Sequence, residues 1–213
     1  MRPFKLYLSF KRIAPAFALC LFLAAPAVWS RPAQNPAGVS NFGEVTSELY
    51  RGGQPSETGF ASLKHLGVGI IVNFRDGRSE SAAEKREVES LGMKYTGIPW
   101  SGRANPSDAQ IVQFLDLVRN NPRTKIFVHC KRGADRTGTM IAAYRIVVQH
   151  ESVPEAVAEM HSYHYAHFWL PQLQRYVVSL PTVMHYDPVF TAYVTAPAPS
   201  AAATLAAATA TAR

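Results

Sequence analysis

The chain has 213 residues, 47% of them hydrophobic and 17% charged, with a formal net charge of +7 and two cysteines. That length buries one sizeable core, and the apolar and aromatic content excludes a wholly disordered chain. Two cysteines cannot staple a disulfide scaffold, and no CxxC pair offers a structural zinc site.

The first twelve residues carry Arg2, Lys5, Lys11 and Arg12 and no acid, and an apolar run from Ile13 to Trp29 follows, ending among small residues. This pattern predicts a secretory signal over residues 1–30, cleaved near residue 27 or 30. The alternative is an uncleaved anchor. Pro15, Pro26 and a run shorter than the roughly 20 apolar residues of a spanning helix favour cleavage. The expected location is periplasmic or secreted, with membrane contact only through this segment if it stays uncleaved. Losing four basic residues and no acid lowers the net charge from +7 to +3. No run of five Lys/Arg remains, so no nucleic-acid partner is expected. Cys20 leaves with the signal, and Cys130 is then the single thiol, either buried and inert or reactive.

Residues 31–43, with Pro32, Pro36 and Gly38, read as a linker. Val45–Arg51 reads as a short edge strand closed by Gly52-Gly53-Gln54-Pro55, and Glu57–Leu66 as a helix stopped by Gly67. Gly69–Phe74 is a nearly continuous β-rich run, of the kind buried on both faces of a parallel sheet. A helix over Ser81–Leu91 stops at Gly92, and a strand candidate occupies Met93–Pro99. Asn105-Pro106 starts a helix with Ile111, Phe114, Leu115 and Val118 on one face. Lys125–His129 is a further strand, followed by a helix carrying Met140, Ile141, Tyr144, Val147 and Val148. Two more helices are predicted near Pro154–Tyr163 and His167–Leu180, and no internal repeat is present. From residue 183 the chain reads as an extension, Ala/Thr-rich and predicted disordered from about 195.

Strands alternating with helices predict an α/β fold with a mainly parallel central sheet flanked by helices. Ligands of such folds gather at the carboxyl ends of the strands. Three loops would meet there: Arg75-Asp76-Gly77, Trp100-Ser101-Gly102-Arg103 and Cys130–Arg136. The last belongs to His129-Cys130-Lys131-Arg132-Gly133-Ala134-Asp135-Arg136-Thr137-Gly138, set between a buried strand and a helix. Backbone N–H groups converging on a helix N-terminus make a concave site for a tetrahedral anion. Gly133 permits the close approach such a cradle needs, and Arg136 offers a bidentate fork to phosphate oxygens. The same positive field favours a thiolate at Cys130, and Thr137 can donate a hydrogen bond to it.

A Cys, five residues, then Arg-Thr, preceded by His, resembles the signature of the cysteine-dependent phosphatases. The resemblance extends over about residues 45–180, including Tyr50–Pro55, Ile71–Arg75 and Pro99-Trp100. It is strongest for bacterial dual-specificity and tyrosine-phosphatase-like members, while Cys130–Gly133 is similar to plant and fungal atypical dual-specificity phosphatases. The resemblance implies one phosphatase domain over residues 44–182 and a phosphocysteine intermediate on Cys130. It also implies phosphate binding by Lys131, Arg132, Gly133, Ala134, Arg136 and Thr137, support from His129 and Asp108, and neither metal nor cofactor. The implied substrate is a phosphotyrosine protein, with an inositol phosphate or phosphoinositide as alternative. A phosphate-binding module without turnover is a third reading. A buried inert thiol would need no Gly, Arg and Thr at these spacings, and a rhodanese-type sulfur carrier lacks the His before the Cys and the Arg-Thr-Gly after it.

The proton donor is open at this level. Related phosphatases place an Asp about thirty residues before the nucleophile, but Pro99–Arg103 contains no carboxylate. Asp135 is the first candidate, or else a brace for Arg136 or Lys131. Asp108 is the second, or else a first-turn acid of its helix, and Asp76 or water remains after these. Lys131 and Arg132 favour polyanionic substrates or serve solubility alone. Arg75 and Arg103 are placed to meet a second phosphate. His161, His164 and His167 stand three apart, but without nearby carboxylates they predict packing rather than metal.

Overall fold

The computed structural model describes residues 35–194; the predicted signal and the tail from residue 195 lie outside them. The elements in chain order are β1 (Gly43–Glu44), β2 (Leu49–Gly52), α1 (Glu57–His65), β3 (Val68–Asn73), α2 (Arg78–Ser90), β4 (Lys94–Gly97) and α3 (Asp108–Arg119). They continue with β5 (Lys125–His129), α4 (Asp135–Val147), α5 (Val153–Ser162), α6 (Pro171–Tyr186), a 3-10 turn (Pro188–Phe190) and α7 (Thr191–Val194). The five strands form one sheet in the order β1-β2-β5-β3-β4, parallel except for β1. This is the α/β fold with a mainly parallel sheet that the alternation of strands and helices predicts.

β3 and β5 lie centrally, which is why their sequences are apolar throughout. Successive residues serve opposite faces of the sheet. Ile126 and Val128 of β5 and Ile70 and Val72 of β3 join Ile111, Phe114, Met140 and Leu180 on the side of α3, α4 and α6. Phe127 and Ile71 join Phe60, Leu63 and Val88 on the side of α1 and α2. The helix starts follow their caps. Ser107 and Gln110 form a capping box at α3, Ser152 and Glu155 another at α5, and Ser56 caps α1. α3 therefore begins at Asp108, after the Asn105-Pro106 start expected.

Other boundaries differ from the sequence reading as well. The expected edge strand over Val45–Arg51 is confined to Leu49–Gly52 and lies inside the sheet, between the two-residue β1 and β5. The last part of the expected linker is built into the fold: Val39 is buried, and the Phe42 ring stacks on Tyr50 at 5.8 Å between centroids. At the other end, α6 passes through Pro181 to Tyr186, and Phe190 and Tyr193 are buried in the main core. The packed unit thus continues beyond residue 182, because Leu180, Val183 and Met184 hold the helix against the core despite the proline.

Candidate active site

The loop from Cys130 to Ala134 leaves the carboxyl end of β5 and enters α4 at Asp135. Its carbonyls are held from outside. The Lys131 carbonyl accepts from the Gln54 N–H at 3.2 Å, that of Arg132 from Asn41 Nδ2 at 3.2 Å, and that of Gly133 from Arg51 at 3.1 Å. In a planar trans peptide the N–H of the next residue points opposite to the carbonyl. The N–H groups of Arg132, Gly133 and Ala134 are thereby turned away from those anchors, toward the hollow of the loop. Gly133 makes this possible, with φ +71°; a Cβ there would stand 2.4 Å from the carbonyl carbon of Gly52.

Cys130 sits at the base of the loop, 3% exposed. Thr137, in the first turn of α4, is fully buried, and its hydroxyl has no hydrogen-bond partner among the described residues. Arg136 is fixed by one nitrogen: Nη1 donates to the Phe74 carbonyl at 3.2 Å, the Trp100 carbonyl at 3.0 Å and Asp76 Oδ1 at 2.9 Å. That single nitrogen joins the ends of the β3 and β4 loops to α4, so the three predicted loops do meet at one rim. Asp76 is exposed, and its hydrogen bond to Arg136 holds its carboxyl below the usual range.

His129 is fully buried and bonds Glu84 through Nε2 at 2.8 Å. Glu84 in turn accepts from Asn73 and Gln54, both at 2.9 Å, and Gln54 accepts from Arg75 at 2.7 Å. Arg75 therefore supports the loop through this network rather than offering a free second phosphate site. Glu84 and Arg51 carry the scaffold and were assigned no role by sequence reasoning. Glu84 shares the buried face of α2 with Val88, a spacing of four that marks an inward-facing acid. Arg51 is fully buried; it pairs with Glu159 at 3.2 Å and lies 3.7 Å from the Tyr163 ring centroid. Burial pushes its pKa down, against the pull of Glu159.

The two leading proton-donor candidates are both engaged as acceptors. Asp135 accepts from Arg132 at 2.5 Å on one oxygen and from the Ala166 N–H at 3.0 Å on the other. It braces the catalytic loop against the α5–α6 connection. Asp108 accepts from the Tyr176 hydroxyl at 2.7 Å and ties α3 to α6. Lys131 and Arg132 stand exposed at the mouth, and Ala134 is buried. Arg103 is exposed, its backbone carbonyl accepting from Gln172 at 3.0 Å. His161 bonds Gln174 and lies 5.1 Å from His167, ring to ring, while His164 faces the groove shared with Lys131 and Arg132. The three histidines do not converge, and among the described residues no group of three potential ligands is assembled for a metal.

This chain is similar over its main domain to known phosphatases. It is 28% identical over 125 residues to the rat dual specificity protein phosphatase 26, covering 55% of this chain and 56% of that one. It is 30% identical over 112 residues to a probable tyrosine-protein phosphatase, DG1060, of Dictyostelium discoideum, covering 49% and 65%. The chain thus spans less than two thirds of the length of these relatives. Among solved structures, TpbA of P. aeruginosa in complex with phosphotyrosine superposes with a TM-score of 0.60 at 22% identity, covering 78% of this chain and 96% of that one. The catalytic core of the PP-IP phosphatase SIW14 of S. cerevisiae gives 0.57 at 23%, covering 65% and 84%. These two likenesses show the shared fold. A family model described as a DSP-PTPase phosphatase fused to NAD+ kinase matches residues 33–175, and the chain belongs to that family.

Proposed function

We propose that this protein hydrolyses phosphate monoesters through a phosphocysteine, with phosphotyrosine proteins as its main substrates. The observation that carries the reading is the loop whose Lys131, Arg132 and Gly133 carbonyls are anchored outward above a buried Cys130, with Arg136 at its rim. In the first step Cys130 sulfur attacks phosphorus, the P–O bond to the leaving group breaks, and the leaving oxygen takes up a proton from water. In the second, water attacks phosphorus, the S–P bond breaks, and inorganic phosphate and the thiolate are released. The inward N–H groups and the free side of the Arg136 guanidinium hold the three phosphoryl oxygens as charge shifts between them. Thr137 has an unpaired hydroxyl to give to the departing sulfur.

Asp135 and Asp108 are occupied as acceptors, so esters with acidic leaving groups need least from this site. Phosphotyrosine is such an ester, and the relatives named for tyrosine and dual-specificity phosphatases agree with it. Exposed Lys131 and Arg132 favour a polyanion such as an inositol phosphate as second reading. Cys130→Ser is expected to retain less than about a hundredth of wild-type turnover while still binding vanadate or phosphate. The assay uses phosphotyrosine peptide and inositol hexakisphosphate side by side. Substantial residual turnover in the Ser variant excludes the covalent route, and a preference for the inositol phosphate replaces the first substrate reading by the second.

We further propose export, supported by the basic, apolar and small-residue order of residues 1–30. Protein recovered from its native host should begin near Val28 or Arg31. Recovery of intact Met1 in a soluble cytosolic fraction excludes export.

A further inference from the structure

The connection between α5 and α6 carries the largest apolar side chains left in water: Phe168 is 84% exposed and Trp169 86%. The segment beneath them is firmly held. Tyr163 packs on Arg51, Tyr165 is buried with its hydroxyl donating to the Leu170 carbonyl, and Ala166 donates to Asp135 at 3.0 Å. Gln172 then donates to the Arg103 carbonyl at 3.0 Å. The aromatic pair therefore projects from a rigid corner fastened on one side to the catalytic loop and on the other to the Trp100–Arg103 loop. His167 lies against the Phe168 ring at 3.9 Å between centroids, and both rings otherwise face water.

The segment's own charge is of one sign. From Met160 to Tyr186 the sequence contains no Asp or Glu, but it does contain Arg175 and four histidines, His161, His164, His167 and His185. Lys131, Arg103 and Arg175 are exposed, and none of them forms an ion pair among the described residues. An exposed aromatic pair, tryptophan included, in a segment that carries no carboxylate of its own and has unpaired cations in the adjoining loops fits a fluid anionic surface. Such a surface admits protruding rings without a preformed pocket, and its interface favours tryptophan.

We propose that this corner docks the protein on anionic phospholipid, with Phe168 and Trp169 entering the headgroup boundary and Lys131, Arg103 and Arg175 facing the lipid phosphates. Its bonds to Asp135 and Arg103 bring the catalytic mouth to the same level, so the enzyme works on substrates held at a membrane surface. The docking goes beyond the phosphatase reading and does not depend on it, whereas the membrane-held substrate rests on that reading.

The test uses the full chain and vesicles of phosphatidylcholine with and without phosphatidylglycerol. Wild type should sediment more strongly with the anionic vesicles. In Phe168→Ser/Trp169→Ser that gain should fall by about tenfold or more, and high salt should weaken it in wild type. Any attachment through the apolar N-terminal segment is common to both proteins and cancels in the comparison. Brominated acyl chains should quench wild-type emission more than that of Trp169→Phe, a difference that isolates this tryptophan from the other two in the chain. Hydrolysis of a soluble aryl phosphate should be unchanged in the variants, which also shows that they fold. Equal partition of the double variant and wild type, or no quenching assigned to Trp169, overturns the proposal. Absence of hydrolysis in every form would count against the phosphatase reading alone.

Discussion

A carboxylate that accepts from a guanidinium on one oxygen and from a backbone N–H on the other has both oxygens engaged as acceptors. Asp135 is in this position between Arg132 and Ala166. Asp135→Asn sets an amide donor against Arg132 or Ala166 and should cost about 1–3 kcal/mol of stability. It should slow alkyl and aryl phosphates alike. Loss on alkyl phosphates alone, at unchanged melting temperature, would assign Asp135 as the proton donor. The sequence suggested the donor role because Asp135 is adjacent to Arg136; it could not show that the side chain turns toward a residue 31 positions later. Cys130, Arg136 and Thr137 were legible because one loop carries them all at fixed spacing. Glu84 was not, since its partner His129 lies 45 residues away and the acid is embedded in the charged helix Arg78–Ser90.

At the scale of elements, local chemistry was readable and pairing was not. β5 matches its expected span because the strand-favouring run Ile126-Phe127-Val128 lies between clear breakers, and the α5 start follows directly from its Ser152–Glu155 capping box. β2 was misplaced toward the edge because its position depends on β5, some seventy residues later, entering beside it with Tyr50 opposite Phe127. The α6 boundary failed for a different reason. Pro181 reads locally as a stop, yet the residues on both sides of it are packed, and burial outweighs one lost N–H bond. The same logic separates Gly133 from ordinary turn glycines. Close approach at Gly133 was expected of a phosphate cradle, but the need for a missing side chain comes from Gly52 and Gly53, at the end of the neighbouring strand β2.

For the whole molecule, the helices of one layer are joined by hydrogen bonds between segments distant in sequence, and two of these make stability depend on alkaline pH. Tyr176 of α6 donates to Asp108 at the start of α3, and Tyr193 of α7 donates to Asp116 near its end, both at 2.7 Å. Burial first, and then the neighbouring carboxylate, pushes both hydroxyls well above the ordinary tyrosine value. Below about pH 10, the ordinary value, both groups keep their protons whether the chain is folded or not, and the contribution is fully present. Above it the unfolded chain ionises first while the folded chain holds its protons. Stability is therefore lost progressively as pH rises toward the raised folded values. Denaturant unfolding from pH 7 to 11 should show a fall in midpoint above about pH 10. Tyr176→Phe/Tyr193→Phe should be less stable at pH 7, by the two lost hydrogen bonds, but should decline less steeply above pH 10. Parallel declines in the two proteins would place the alkaline loss in other groups and remove these two tyrosines from the account.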